Sequence, residues 1–155
     1  MEVVKNKQTL QLSFDSTAEN IENANGEIRS FLNKQKNINH TVKQNVFVIS
    51  EELIQNAYIH GNEKNAEKSI SYALNMNGKE VFSISVEDEG KGYDVQKMQK
   101  NPPFDPKHTS RQGLILVNTL AKDVSFQNGG RKIVVTVSVQ DTIQKLLQRS
   151  GKEHV

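Results

Sequence analysis

The stretch "ISEELIQNAYIHGN", Ile49 to Asn62, places the carboxylate of Glu52, the amide of Asn56 and the imidazole of His60 at intervals of four residues. On an α-helix that interval drifts only about 40° around the axis, so the three side chains share one narrow strip. Groups of these kinds transfer protons, ligate cations and donate hydrogen bonds, and such a strip needs partners: the protein itself, water or a ligand. A second oddity stands in "EVFSISVED". Phe82, Ile84 and Val86 share one face of a strand, and the same parity carries on to Asp88, so a carboxylate ends an apolar row. Taken singly, Glu52 suits a solvated helix face, and "EDEGKGYD" suits a tight turn after a strand. A metal-hydrolase site built on Glu52 and His60 fails on geometry, because eight helical residues separate them by about 12 Å along the axis. His40, His108 and His154 suggest no ligand cluster.

The elements that must position these groups follow from periodicity. "TLQLSF" (Thr9 to Phe14) alternates with period two and predicts a half-buried strand. The next segment places Ile21, Ala24, Ile28, Phe31 and Leu32 at helical spacing, with Asp15 and Ser16 as candidate caps and Gly26 as the weak point. A second helix is predicted from about Thr41 to His60 over Val42, Val46, Ile49, Leu53 and Ala57, ended by Gly61 and Asn62, which tolerate left-handed backbone angles. "SISYALNM" and "EVFSISVED" read as a hairpin turning at Asn77-Gly78, where both turn positions favour positive φ. From Asp94 to Arg111, three prolines (Pro102, Pro103, Pro106) forbid regular helix, and a mobile loop is expected. Gly113 is expected to open a third helix carrying Leu114, Leu116, Val117, Leu120 and Ala121. A last hairpin follows, turning at Asn128-Gly129-Gly130, and Ile143, Leu146 and Leu147 suggest a short helix in the tail. This order indicates an α+β sandwich, a mixed or mostly antiparallel sheet with helices packed on one face. Asp88 and the Glu52/Asn56/His60 strip would then open onto a shared cleft between the layers.

The 155 residues suit a single domain with one core, taken as residues 1–155, the core about 9–140 and 141–155 a C-terminal tail. Twenty basic against 18 acidic residues leave a net charge of +2, too even for a nucleic-acid footprint or a membrane-surface patch. The absence of cysteine excludes disulfides, thiolate metal sites and a cysteine nucleophile, and fits a reducing cytoplasm. The opening residues carry no signal-peptide pattern and no run is long enough to span a bilayer, so a soluble cytoplasmic protein is expected.

"EELIQNAYIHGN" resembles the asparagine box of the GHKL ATPases, and "EDEGKGYD" resembles their Asp-x-Gly-x-Gly box, here Asp88, Gly90 and Gly92. The Asn56 to Asp88 spacing, the lid-like loop and "SRQGLILVNTLAKDVSF" in place of the second glycine box complete the likeness over roughly residues 9 to 140. The resemblance implies a two-layer sandwich of the histidine-kinase-like ATPase (Bergerat) type that binds ATP and Mg2+. In the family pattern the Glu of Glu-x-x-x-Asn, Glu52, is the general base, and Asn56 holds magnesium. An ionised Glu can accept a proton from an attacking hydroxyl or water, and an amide oxygen is a hard neutral ligand suited to magnesium. Asp88 would hold adenine through its exocyclic amine, with Gly90 and Gly92 letting backbone approach the nucleotide without a Cβ in the way. Ser110, Arg111 and Gly113 complete the expected nucleotide site. Where the family carries Gly-x-Gly, this chain has Arg111-Gln112-Gly113. A left-handed non-glycine there costs roughly 1–2 kcal/mol, unless the guanidinium repays it by meeting a phosphate.

With a short chain and no histidine-phosphotransfer helix pair, the sequence most resembles the bacterial anti-sigma-factor serine/threonine kinases. That implies phosphorylation of a STAS-type anti-anti-sigma partner, binding of a sigma factor, transcription regulation by nucleotide-dependent partner switching, and a homodimer. The alternative is a nucleotide-gated protein-binding switch module without kinase activity, and, further off, an ATP-hydrolysing piece of a larger signalling assembly.

Overall fold

The computed structural model describes residues 1–92 and 109–139, with side chains of the last helix described from Ile115 onward. Six strands form one sheet: β1 (Glu2–Lys5), β2 (Thr9–Asp15), β3 (Ser69–Asn75), β4 (Val81–Glu87), β5 (Asp123–Gln127) and β6 (Lys132–Ser138). They lie in the order β1-β2-β3-β4-β6-β5, and every neighbouring pair is antiparallel, so the sheet expected to be mixed or mostly antiparallel is wholly antiparallel among the described residues. Among the described residues the α-helices are α1 (Ala18–Asn33), α2 (His40–Asn56) and α3 (Thr109–Leu120).

Alternation along the strands decides the layering. Leu10, Leu12 and Phe14 of β2, Ile70, Tyr72 and Leu74 of β3, Phe82, Ile84 and Val86 of β4, and Val135 and Val137 of β6 are all buried. They meet Ile21, Ala24, Ile28, Phe31 and Leu32 of α1 and Val42, Val46, Ile49, Leu53 and Ile54 of α2 in one core. Each such Leu, Ile, Val or Phe contributes about 1.5–3 kcal/mol on leaving water, and the two helices dock because their apolar stripes match the sheet's inner face. Arg29 of α1 lies over the ring of Phe47 of α2, with 4.9 Å to the centroid. The opposite face carries Gln11, Ser13, Ser71, Ala73 and Ser85 and holds a shallow groove of about 300 Å³.

Local departures from the sequence reading have identifiable causes. β1 is absent from that reading because "EVVK" does not alternate, and of its four residues only Val3 is partly buried. The N-cap of α1 is Thr17, whose hydroxyl accepts the Asn20 N–H at 3.1 Å, whereas Ser16 is buried and engaged elsewhere. Gly26 does not interrupt α1, its Cβ direction facing open space. The β3–β4 connection is no two-residue turn, and neither Asn77 nor Gly78 has positive φ. Met76 is drawn into the core instead, its N–H donating to Gln8 O at 2.8 Å, which widens the loop. The final hairpin does turn at Asn128, Gly129 and Gly130, all with positive φ. The third helix begins at Thr109, four residues before Gly113. The expected mobile loop, apart from Thr109 to Arg111, and the expected tail helix lie outside the described residues.

After β4 the chain returns to the sheet at the outer β5 and only then fills the place beside β4 with β6. That crossover brings the Asn128–Gly130 turn next to the end of β4, where Asp88 stands: the Asp88 N–H donates to Arg131 O at 3.0 Å.

Candidate functional site

α2 carries two of the expected residues. Its buried row faces the sheet, with Ser50 and the Tyr72 hydroxyl 2.8 Å apart in the core. On the flank of that row Glu52 is half-buried and Asn56 is 8% exposed. The Asn56 Nδ2 is buried with no hydrogen-bond partner, a state that costs about 1–3 kcal/mol in the absence of a ligand. Burial, and secondarily the neighbouring Glu51 carboxylate, pushes the Glu52 carboxyl above the ordinary range and makes it a stronger base than an exposed glutamate.

Beyond Asn56 the helix does not stay α-helical. Ala57–Gly61 form a π-helical turn, closed by the Asn62 N–H donating to Ala57 O at 2.8 Å. The wider winding breaks the four-residue strip: Asn56 is buried while His60 is exposed, so the expected row of three is a pair. It also redirects the helix end. Gly61 and Asn62 are not left-handed; Glu63 and Lys64 are, with φ of 51° and 58°.

Asp88 continues the inward face of β4 and is 6% exposed. Burial raises its carboxyl above the ordinary range, offset in part by the Gly90 N–H, which donates to Oδ1 at 2.8 Å, and by the charge of Arg131. Gly61 is required by this carboxylate, since a Cβ there would lie 2.2 Å from Asp88 Oδ2. A Cβ on Gly90 would lie 2.0 Å from Gly61 O, and one on Gly92, whose φ is +84°, would lie 2.1 Å from Gly129 O. The glycines of the Asp-x-Gly-x-Gly box were expected to open backbone to a nucleotide. In the structure their Cβ positions are taken by the protein's own carbonyls, so their first role is to let the box pack against the π turn and the last hairpin.

The end of α2 and the end of β4 therefore meet through Gly61, joining the helix of Glu52 and Asn56 to Asp88 at one edge of the interlayer space. Ser110, Arg111 and Gly113 lie on the first turns of α3, which packs against α2, and their side chains lie outside the described residues. Asn62 was read only as a helix ending. It has no exposed surface and hydrogen-bonds to Ser16, Ser69 and Glu89. Nothing in its spacing announces that burial. Among the described residues no group of three or more His, Asp or Glu side chains could hold a metal ion, and no helix is long and apolar enough to cross a membrane.

A family profile described as "Histidine kinase-like ATPase domain" matches residues 14–139. Among solved structures, one that resembles this chain is the histidine kinase domain of the blue-light activated histidine kinase from Erythrobacter litoralis EL346, with a TM-score of 0.50 and 17% sequence identity. The likeness covers 82% of this chain and 62% of that one, so the present chain spans less than two thirds of its length. At that identity it establishes the fold. No curated protein matches. With the asparagine-box helix, the buried Asp88 and the glycine-packed turn all inside the matched span, the chain belongs to the histidine kinase-like ATPase domain family.

Proposed function

We propose that the protein is an ATP- and magnesium-dependent serine/threonine kinase of the anti-sigma type, acting on a STAS-type anti-anti-sigma partner and releasing or holding a sigma factor in step. The observation that carries the reading is Glu52: a half-buried carboxylate of raised basicity, one helical turn before Asn56, whose buried Nδ2 has no protein partner. A neutral imidazole attacks phosphorus with a free lone pair, whereas a hydroxyl must lose its proton. A placed carboxylate base therefore favours a hydroxyl acceptor over a histidine.

Asp88 accepts the exocyclic amine of adenine at the end of the apolar wall of β4. Asn56 fits a role in holding magnesium through its side-chain oxygen, the type of donor that ion takes, while its buried Nδ2, which lacks a protein partner, can only donate and calls for an acceptor such as a phosphate oxygen. When bound, magnesium supplies charge neutralisation at the phosphates. Glu52 takes the proton of the acceptor hydroxyl as that oxygen bonds to the γ-phosphorus and the bond to the β-phosphate oxygen breaks, leaving ADP.

Transfer of labelled γ-phosphate to a partner captured with nucleotide tests the reading. Wild-type protein is expected to label a serine or threonine on it. Glu52→Ala should keep ATP binding within a few-fold and lose about 10²–10⁴ in transfer rate. A variant that transfers at the wild-type rate removes Glu52 from the chemistry. Nucleotide-dependent capture with no labelled protein leaves a binding switch, and labelled inorganic phosphate alone identifies an ATPase.

A further inference from the structure

We infer that Asn62 is a positioning residue for base recognition: its side-chain amide, through the N–H of Glu89, fixes the turn that presents the Asp88 carboxylate. The inference rests on the reading of Asp88 as the group that holds adenine.

Asn62 is fully enclosed, and each polar atom of its side chain is engaged. Nδ2 donates to Ser16 Oγ at 2.6 Å and to Ser69 O at 2.9 Å, and Oδ1 accepts the Glu89 N–H at 2.8 Å. The partners dictate the orientation of the amide. A backbone carbonyl can only accept and a backbone N–H can only donate, so nitrogen must face Ser69 and oxygen must face Glu89. The backbone of Asn62 is held as well, its N–H by Ala57 O and its carbonyl by the Asn65 N–H at 2.9 Å. One side chain thus joins the end of β2, the start of β3, the π turn and the residue after Asp88.

The peptide that follows Asp88 is gripped from two sides. Glu89 gives its N–H to Asn62, and its carboxylate accepts the Ser69 N–H at 2.6 Å. On the other side of Asp88, its own N–H is bonded to Arg131 O. With both flanking peptides pinned and Gly61 closing the wall, the Asp88 side chain has one direction to point. Removing the Asn62 amide frees the Glu89 end of that grip and also takes a donor from Ser16 Oγ and Ser69 O, a cost to stability that a Ser16 variant helps to separate from the effect on the turn. The effect should fall on the choice of base more than on overall affinity, because only the base reads the direction of the carboxylate. Guanine carries a carbonyl where adenine carries the amine, and a carboxylate in place rejects it.

The test is the ratio of ADP to GDP affinity, measured by calorimetry on the full chain, with Asn62→Ala beside Ser50→Ala and Ser16→Ala. Ser50→Ala breaks an equally buried hydrogen bond to Tyr72 that involves neither Asn62 nor Glu89, and Ser16→Ala takes one acceptor from Nδ2 but leaves the bond to Glu89. Wild-type protein is expected to prefer ADP. Asn62→Ala should lower that preference about tenfold and speed amide exchange at Glu89, while both serine variants keep the wild-type ratio even where melting temperature falls. A folded Asn62→Ala with the wild-type ratio overturns the inference, as does a Ser50→Ala that loses discrimination equally. Should Asn62→Ala not fold, Asn62→Ser, too short to reach the Glu89 N–H, takes its place under the same criteria. If the wild-type protein binds ADP and GDP alike, or neither, the reading of Asp88 fails first and the inference falls with it.

Discussion

Asp88 charges the folded state for its usefulness. Its carboxyl titrates above the ordinary value in the folded chain because the charged form is desolvated. Between about pH 4, where an unfolded aspartate titrates, and the raised folded value, the folded form therefore holds more protons than the unfolded one. Stability must fall as pH rises through that window, and Glu52, shifted the same way, adds to the slope. Asp88→Asn should flatten the profile and leave the nucleotide-free protein at least as stable at neutral pH, as denaturant midpoints from about pH 4 to 7 will show. The same variant should bind ATP and ADP more weakly, which separates the cost of the group from its role. Asn56 makes the complementary case, a neutral group whose unpaired Nδ2 can donate to a ligand's acceptor while its oxygen is free to meet magnesium in the proposed site. Asn56→Ala should weaken ATP binding in magnesium far more than in chelator, by calorimetry under both conditions. Equal losses would make Asn56 a general support of the pocket.

The π turn sets how α2 hands the chain to the site, because one wide turn exposes His60, sets Gly61 against Asp88 and sends Asn62 inward. Gly61→Ala puts a methyl where the Asp88 carboxylate sits and should abolish measurable adenine-nucleotide binding, with a lowered melting temperature. Gly92→Ala acts on the other side of the box: positive φ costs about 1–2 kcal/mol before its Cβ meets Gly129 O, so several degrees of melting temperature should be lost. What the sequence disclosed and what it hid divide along this boundary. The helix of Glu52 and Asn56, the inward parity of Asp88 and the glycine hairpin at 128–130 were legible because each rests on a local period or a local φ preference. The π turn, the purpose of Gly61 and Gly90, the burial of Asn62 and the short strand β1 depend on what another segment brings alongside. Gly61 reads as a helix stop until Asp88, 27 residues later, is seen where its side chain would be. Ser16 likewise reads as a cap until Asn62 is found on it.

At the scale of the molecule, the described helices lie on one face of the sheet, and the other face carries Gln11, Ser13, Ser71, Ala73 and Ser85 around a groove. Cutting a single inner residue such as Ile84 to alanine should cost about 2–5 kcal/mol, read as a fall in denaturant midpoint. Extended to every position, the one-sided layering becomes a statement about heredity. A library of all single substitutions, selected only for folded protein, should draw a comb along each strand: Leu10, Leu12 and Phe14 as teeth, Thr9, Gln11 and Ser13 as gaps, and the same alternation from Ile70 to Leu74 and from Phe82 to Val86. At Asp88 the comb of β4 should invert. Selection for folding would accept neutral replacements there, and selection for nucleotide binding would insist on the acid. The residue at which the two selections disagree marks where this sheet stops serving its own stability.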